Sequence, residues 1–193
     1  VRIVSRWSTL PAVRTDGSGT DRPAVHAQTS ATYRLLDELR RRHPGLDIES
    51  CSSGGARVDL GVLERTDRVW TSDCNDALER VAIQRWTGLL VPPERMGTHI
   101  GPPTAHTTHR HLDLSLRMLV ALGGHAGLEW DITTCSTDEL DALRAWSALY
   151  RELRPLLHGG DAVRSDHPDP ALVVGGVVAA DRSAAVFTVI QAV

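Results

Sequence analysis

Asp73 lies between two kinds of text. Before it, Arg68-Val69-Trp70-Thr71 reads as a short strand; after it, residues 76–90 carry a helical period. Cys51 has a similar place. It follows a short strand read over residues 46–50 and heads the small-residue run Cys51-Ser52-Ser53-Gly54-Gly55. In folds that alternate strands with helices, chemistry collects in the polar loops at the carboxyl ends of strands. A carboxyl group there can hold or move a proton, and a glycine run lets the main chain approach a ligand closely. Residue type alone also gives plainer readings. Asp73 precedes a helix and can serve as its N-cap. Asp76 can complement the dipole of that helix from its first turn. Cys51 taken alone reads as a small buried hydrophobe. His106, His109 and His111, with Asp113 close by and His99 upstream, group imidazoles of the kind that bind zinc. The stretch has neither HExxH nor paired cysteine ligands, so these are read as loop histidines on a polar rim, with no metal expected.

The elements that must hold these residues follow from periodicity. Residues 1–24 show no clear period. From Ser30, the side chains Tyr33, Leu35, Leu36 and Leu39 recur at helical spacing, and Arg40-Arg41-Arg42 sits where a helix C-terminus favours cations. Pro44-Gly45 stops that helix. The helix after Asp73 shows Leu78, Ala82, Trp86 and Leu89 on one face and closes at Pro92-Pro93. Residues 94–111 read as loop and residues 112–122 as a buried helix. Ser136-Thr137-Asp138-Glu139 is a capping box. It opens a helix with the stripe Leu140, Leu143, Trp146, Leu149 and Leu153, expected to end at Pro155. Two apolar runs then flank Asp181-Arg182-Ser183 and predict a hairpin. The order predicts an α/β fold followed by the start of a β domain.

Composition bounds the partners. The chain has 193 residues, fewer than the roughly 250 of a complete (β/α)8 barrel. All 21 basic residues are arginine, and the formal net charge is −3, which points to neither nucleic acid nor a membrane surface. No run of apolar residues is long enough to span a bilayer. Three cysteines, Cys51, Cys74 and Cys135, without close pairing, argue against a disulfide scaffold and suit a reducing, cytoplasmic setting.

Two segments carry a family resemblance. Cys51-Ser52-Ser53-Gly54-Gly55-Ala56-Arg57 and Trp70-Thr71-Ser72-Asp73-Cys74-Asn75-Asp76-Ala77-Leu78-Glu79-Arg80 resemble the CSxGGGR and WTSDxxDAxxR signatures of the α-galactosidases of glycoside hydrolase family 36, with the family's spacing of 21 intervening residues between Cys51 and Asp73. His26-Ala27-Gln28-Thr29, Met96-Gly97-Thr98-His99 and Glu129-Trp130-Asp131 resemble further stretches of that family. The resemblance spans residues 19–193. It implies the C-terminal part of a (β/α)8 barrel over residues 19–160 and the beginning of an antiparallel β-sandwich over residues 161–193, after an irregular N-terminus at residues 1–18. It implies that Cys51 ends barrel strand seven and Asp73 ends strand eight. It implies an α-galactoside oligosaccharide substrate of the melibiose or raffinose type, no cofactor, and a homo-oligomer for the full-length protein. By the same resemblance Asp73 is the acid/base carboxylate, and Cys51 with the backbone at Gly54 contacts the sugar; Trp70 can offer it an aromatic face.

The sequence departs from the family in two places. Ala56 replaces the last glycine of the run. The family's nucleophile stands in a Lys-Trp-Asp segment about 48 residues before the cysteine, a count that lands on Ile3 here. Asp16 and Asp21 are the nearest acids, in a Gly/Ser-rich loop. A truncated gene or a frameshift near residue 17 is therefore expected, and with it an isolated chain that is inactive for want of a nucleophile. Three other functions remain open: galactosyl transfer of the raffinose-synthase kind, a non-catalytic or vestigial carbohydrate-binding role, and a zinc hydrolase built on the histidine cluster.

Overall fold

The computed structural model describes residues 25–51 and 58–192, together with the backbone of three short strands before them. The chain divides into two compact units, residues 1–70 and 71–193.

The first unit is built on parallel strands. β1 (Ile3–Arg6) pairs with β4 (Ile48–Cys51), Ile3 opposite Ile48 and Arg6 opposite Cys51. β4 pairs in turn with β5 (Arg68–Trp70), Glu49 opposite Arg68. β2 (Val13–Thr15) and β3 (Asp21–Pro23) form a small antiparallel ladder. The stretch without clear period thus holds three strands. They are too short to repeat a pattern, and the pairing of β1 is decided by a strand more than forty residues away.

α1 (Val25–Arg42) and the short α2 (Leu60–Leu63) complete the unit. α1 starts five residues before Ser30, and its buried residues are Thr32 and Leu36, whereas Leu35 is exposed. The cationic end of α1 is used: Arg40 bonds the Arg65 carbonyl and the Asp67 carboxylate, each at 2.9 Å. Asp67 Oδ2 in turn accepts from the Ile48 amide, so one carboxylate ties the helix end to the start of β4. Asp59 caps α2 by accepting from the Val62 amide, and it also accepts from the Tyr33 hydroxyl at 2.6 Å. Gly61 lies under that tyrosine, where an added Cβ would stand 2.6–2.8 Å from the hydroxyl and ring edge, so a larger residue would have to displace the Tyr33 side chain.

The second unit begins with α3 (Ala77–Thr87) and continues through β6 (Met96–Ile100), α4 (Leu114–Ala121), β7 (His125–Leu128) and α5 (Thr137–Gly159). β6 and β7 are parallel, Gly97 opposite His125 and Ile100 opposite Leu128. This corrects two expectations. Residues 94–111 are not loop throughout, and β5 is not the last parallel strand, so Asp73 does not follow strand eight. Met-Gly-Thr-His-Ile and His-Ala-Gly-Leu lack the β-branched alternation that marks a strand. Burial makes them strands: Met96, Thr98 and Ile100 are inaccessible, and the Thr98 hydroxyl bonds the Ala121 carbonyl at the end of α4.

The capping box at Ser136 forms as read, with reciprocal bonds to Glu139. Pro155 does not end α5, which runs on to Gly159. Leu157, two residues past the proline, is buried against Leu122, Tyr150 and Val177, and that burial carries the helix through the missing bond. The expected stripe on α3 is also displaced: Ala82, Trp86 and Leu89 face outward, and Ala77, Arg80 and Val81 are buried.

β8 (Asp161–Ser165), β9 (Leu172–Val178) and β10 (Ala185–Gln191) form an antiparallel sheet with β9 in the centre. The β9–β10 turn falls on Asp181-Arg182-Ser183, as expected. Arg182 takes a left-handed conformation (φ 60°), and Asp181 accepts from the Ser183 amide. The inner face of this sheet packs on the helices: Ile190 joins Ala77, Val81 and Val120 in one cluster, and Val177 joins Tyr150 and Leu157 in another.

Candidate active site

Asp73 is exposed and sits in a bend three residues after Trp70. The helix that follows is capped by another aspartate. Asp76 Oδ1 accepts from the amides of Leu78 (2.8 Å) and Glu79 (3.3 Å). The N-cap reading therefore belongs to Asp76. That residue does more than complement the dipole: its Oδ2 accepts from the Thr108 hydroxyl and from Arg110 at 2.8 Å. The loop between β6 and α4 is thereby fastened to the head of α3. Burial raises the Asp76 carboxyl, but the Thr108 hydroxyl, the two amides and the Arg110 charge outweigh it and hold the group below the ordinary aspartate value.

Arg80 explains the spacing of the second signature. One turn beyond Asp76, its guanidinium is inaccessible and turned back under the loop. Nε bonds the Cys74 carbonyl (2.7 Å), one terminal nitrogen bonds the Thr71 hydroxyl (2.6 Å) and the other the Ser72 carbonyl. The Ser72 hydroxyl accepts from the Cys74 amide. Asp73 thus rides on a loop whose two flanking carbonyls are gripped by one planar fork, a geometry lysine cannot reproduce.

Beside it lies a second polar group. Asn75 Nδ2 donates to Glu129 Oε2 (3.3 Å), and His99 Nδ1 lies 3.2 Å from the same oxygen. His99 is on β6, and Glu129 directly follows β7. The His99 hydrogen bond, with help from the charges of His99, Arg80 and His106, holds the Glu129 carboxyl below its ordinary value against the opposing effect of burial. Arg117 supports the floor of the loop, donating to the carbonyls of Leu112 and Gly101 with Trp130 stacked on its guanidinium at 4.7 Å.

In the first unit, Cys51 is half-buried at the carboxyl end of β4, and Trp70 is half-buried at the end of β5. Gly54 lies outside the described residues. So does Asp16, and of Asp21 only the backbone in β3 is described. All three cysteines are unbridged thiols. The histidines near the loop do not converge: His111 Nδ1 contacts the Thr104 hydroxyl, and among the described residues no group of three ligating side chains could hold a metal. No helix among them is long and apolar enough to cross a membrane. Arg80, Asn75 and Asp76 stood inside the signature without assigned positions in the site; the pairing of His99 with Glu129 carried no signal beyond the family resemblance of their two stretches.

Residues 6–160 match the family model described as Melibiase, and the chain belongs to that family. The match reaches further upstream than residue 19. An α-galactosidase of Escherichia coli is 49% identical over 170 residues, which are 88% of this chain and 24% of that protein. Among solved structures, a variant of the family 36 α-galactosidase AgaA of Geobacillus stearothermophilus in complex with stachyose superposes with a TM-score of 0.85 at 31% identity, covering 97% of this chain and 26% of its own. Another AgaA variant, in complex with raffinose, gives 0.81 at 34% identity over 85% of this chain and 23% of its own. The chain spans about a quarter of the length of these relatives. Its α/β fold, with parallel strands followed by an antiparallel sheet, is that of the family 36 structures.

Proposed function

We propose that the protein carrying this sequence is a retaining α-galactosidase that releases terminal α-linked galactose from raffinose-type oligosaccharides, with Asp73 as its acid/base. The observation that carries this reading is the Asp73 loop: Arg80 grips the carbonyls on either side, and the helix cap is made by Asp76. A loop held that tightly around an exposed carboxylate suits a group that must meet a leaving oxygen at a fixed place. Retaining glycosidases use two carboxyl groups about 5–5.5 Å apart, one attacking the anomeric carbon and one protonating the leaving oxygen. Cys51, the Gly54 backbone and Trp70 are read as sugar contacts. Residues 19–160 are read as barrel and residues 161–193 as the start of a β domain. The protein is read as cytoplasmic and oligomeric. Because Ile3 stands at the counted nucleophile position, the 193-residue chain alone is expected to be inactive.

The test uses the natural protein, meaning the product of the gene whose upstream reading frame restores the expected Lys-Trp-Asp segment ahead of residue 19, and its Asp73→Asn variant. Loss of the acid should slow cleavage of an oligosaccharide by about 10²–10⁴-fold, and of an aryl galactoside with a good leaving group far less. Added azide should then attack the anomeric carbon of the glycosyl-enzyme, displace the enzyme carboxylate, and yield α-galactosyl azide. An equal loss on both substrates, with no azide product, would remove Asp73 from this role. Galactose binding without any turnover by the natural protein would favour a binding role instead.

A further inference from the structure

We infer that Glu129, held by His99, is a positioning residue for the Asp73 carboxyl, acting through Asn75 and Arg80 to fix its loop and to set the pH range over which it can donate a proton. The inference rests on the acid/base reading of Asp73 and adds residues that lie outside both signatures.

Two connections run from Glu129 to the loop. The first is through Asn75, two residues after Asp73. Asn75 is inaccessible apart from a small fraction of its surface, and its Nδ2 donates to Glu129. Its Oδ1 is buried without a hydrogen-bond partner, so the Glu129 bond is what orients this amide. The amide also has little room to turn, since a Cβ on Gly101 would lie 2.5 Å from Nδ2. The second connection is electrostatic. Arg80, whose guanidinium bonds the carbonyls of Ser72 and Cys74, feels the Glu129 charge. The Glu129 carboxylate offsets that cation.

The charged groups that act on Glu129 are Arg80 of α3, His99 of β6 and His106 of the β6–α4 loop, while Asp73 and Cys74 lie in the loop that Arg80 holds. Asp76, Glu79 and Arg110 form a separate pairing at the head of α3. His99 is itself confined: a Cβ on Gly127, its β7 neighbour, would stand 2.8 Å from the imidazole. That close approach keeps the ring against Glu129.

Removing the charge should make the potential at Asp73 more positive and lower the pH at which it loses its proton. In the natural protein, Glu129→Gln should therefore move the basic limb of kcat/KM to lower pH, by about half a unit. It should also lower kcat more than it raises KM. Glu129→Asp keeps the charge but shortens the reach, so its limb should stay in place while kcat falls from the loss of the Asn75 bond. A basic limb unmoved in Glu129→Gln overturns the inference; should that variant not fold, an unchanged kcat in Glu129→Asp overturns it equally. The Asp73→Asn variant separates the two levels. If azide rescues Asp73→Asn while Glu129→Gln titrates as wild type, this inference alone falls. If azide rescues nothing, the acid/base reading falls with it.

Discussion

Asp76 and Arg80 divide the work of one short segment. The aspartate spends one oxygen on the helix and the other on the loop across from it, and the arginine spends two nitrogens of its fork on the main-chain carbonyls around Asp73 and the third on the Thr71 hydroxyl. The lowered Asp76 carboxyl has a consequence for stability. Its value unfolded is about 3.9, and its folded value lies below that, so the folded unit binds fewer protons than the unfolded chain in the range between them. The associated stabilisation is present in full above about pH 4 and is lost as pH falls through the folded value. Acid unfolding of the natural protein should steepen there, and Asp76→Asn should flatten that part of the stability–pH curve as read by thermal melts. A curve of unchanged shape in the variant would mean that Asp76 is not the group responsible. These roles were half legible. The segment 70–80 marked Asp73, but Asp76 was read only as a dipole partner. Its second oxygen meets Thr108 and Arg110, thirty and more residues away, and no local pattern encodes such a pairing.

Elements in this chain were legible where their stop and start signals are chemical, and lost where burial decides. The capping box at Ser136 and the turn at Asp181-Arg182-Ser183 use side chains that bond within three residues, and both form as read. β6 and β7 were missed because each is a four- or five-residue strand with glycine and histidine inside it, made extended by its neighbours. The stripe on α3 was misplaced by Trp86 and Leu89, whose size suggested a core while a buried arginine occupied it. Pro155 is the case with a measurable cost. It is exposed inside α5, lacks the amide that would bond one turn back, and gains little from packing. An interior proline costs a helix about 3 kcal/mol relative to alanine, so Pro155→Ala should raise the unfolding free energy by about 1–3 kcal/mol in urea titrations. No gain, or a loss, would show that the ring is needed where it sits.

At the scale of the whole molecule, the change from helices to antiparallel strands at residue 161 is a change of element and not a break in the core. Within residues 71–193, Val81 of α3, Val120 of α4 and Ile190 of β10 share one cluster, and Leu157 of α5 shares another with Val177 of β9. The composition of residues 171–193 announced strands, but nothing in a linear sequence says which helices an apolar strand will cover. The arrangement predicts that α3 and the last strand unfold together. Val81→Ala and Ile190→Ala each open space in the same cluster, costing about 1–2 and 2–4 kcal/mol respectively. Because they share neighbours, their effects should not add: a double-mutant cycle should return a coupling of about 0.5 kcal/mol or more, whereas sites without shared partners add closely. Separate folding of the sheet would give additive losses, and Ile190→Ala would then produce an early transition that leaves the α3 amides protected from hydrogen exchange. A single shared transition, with protection at α3 falling in step with the loss at β10, is the result that the common core requires.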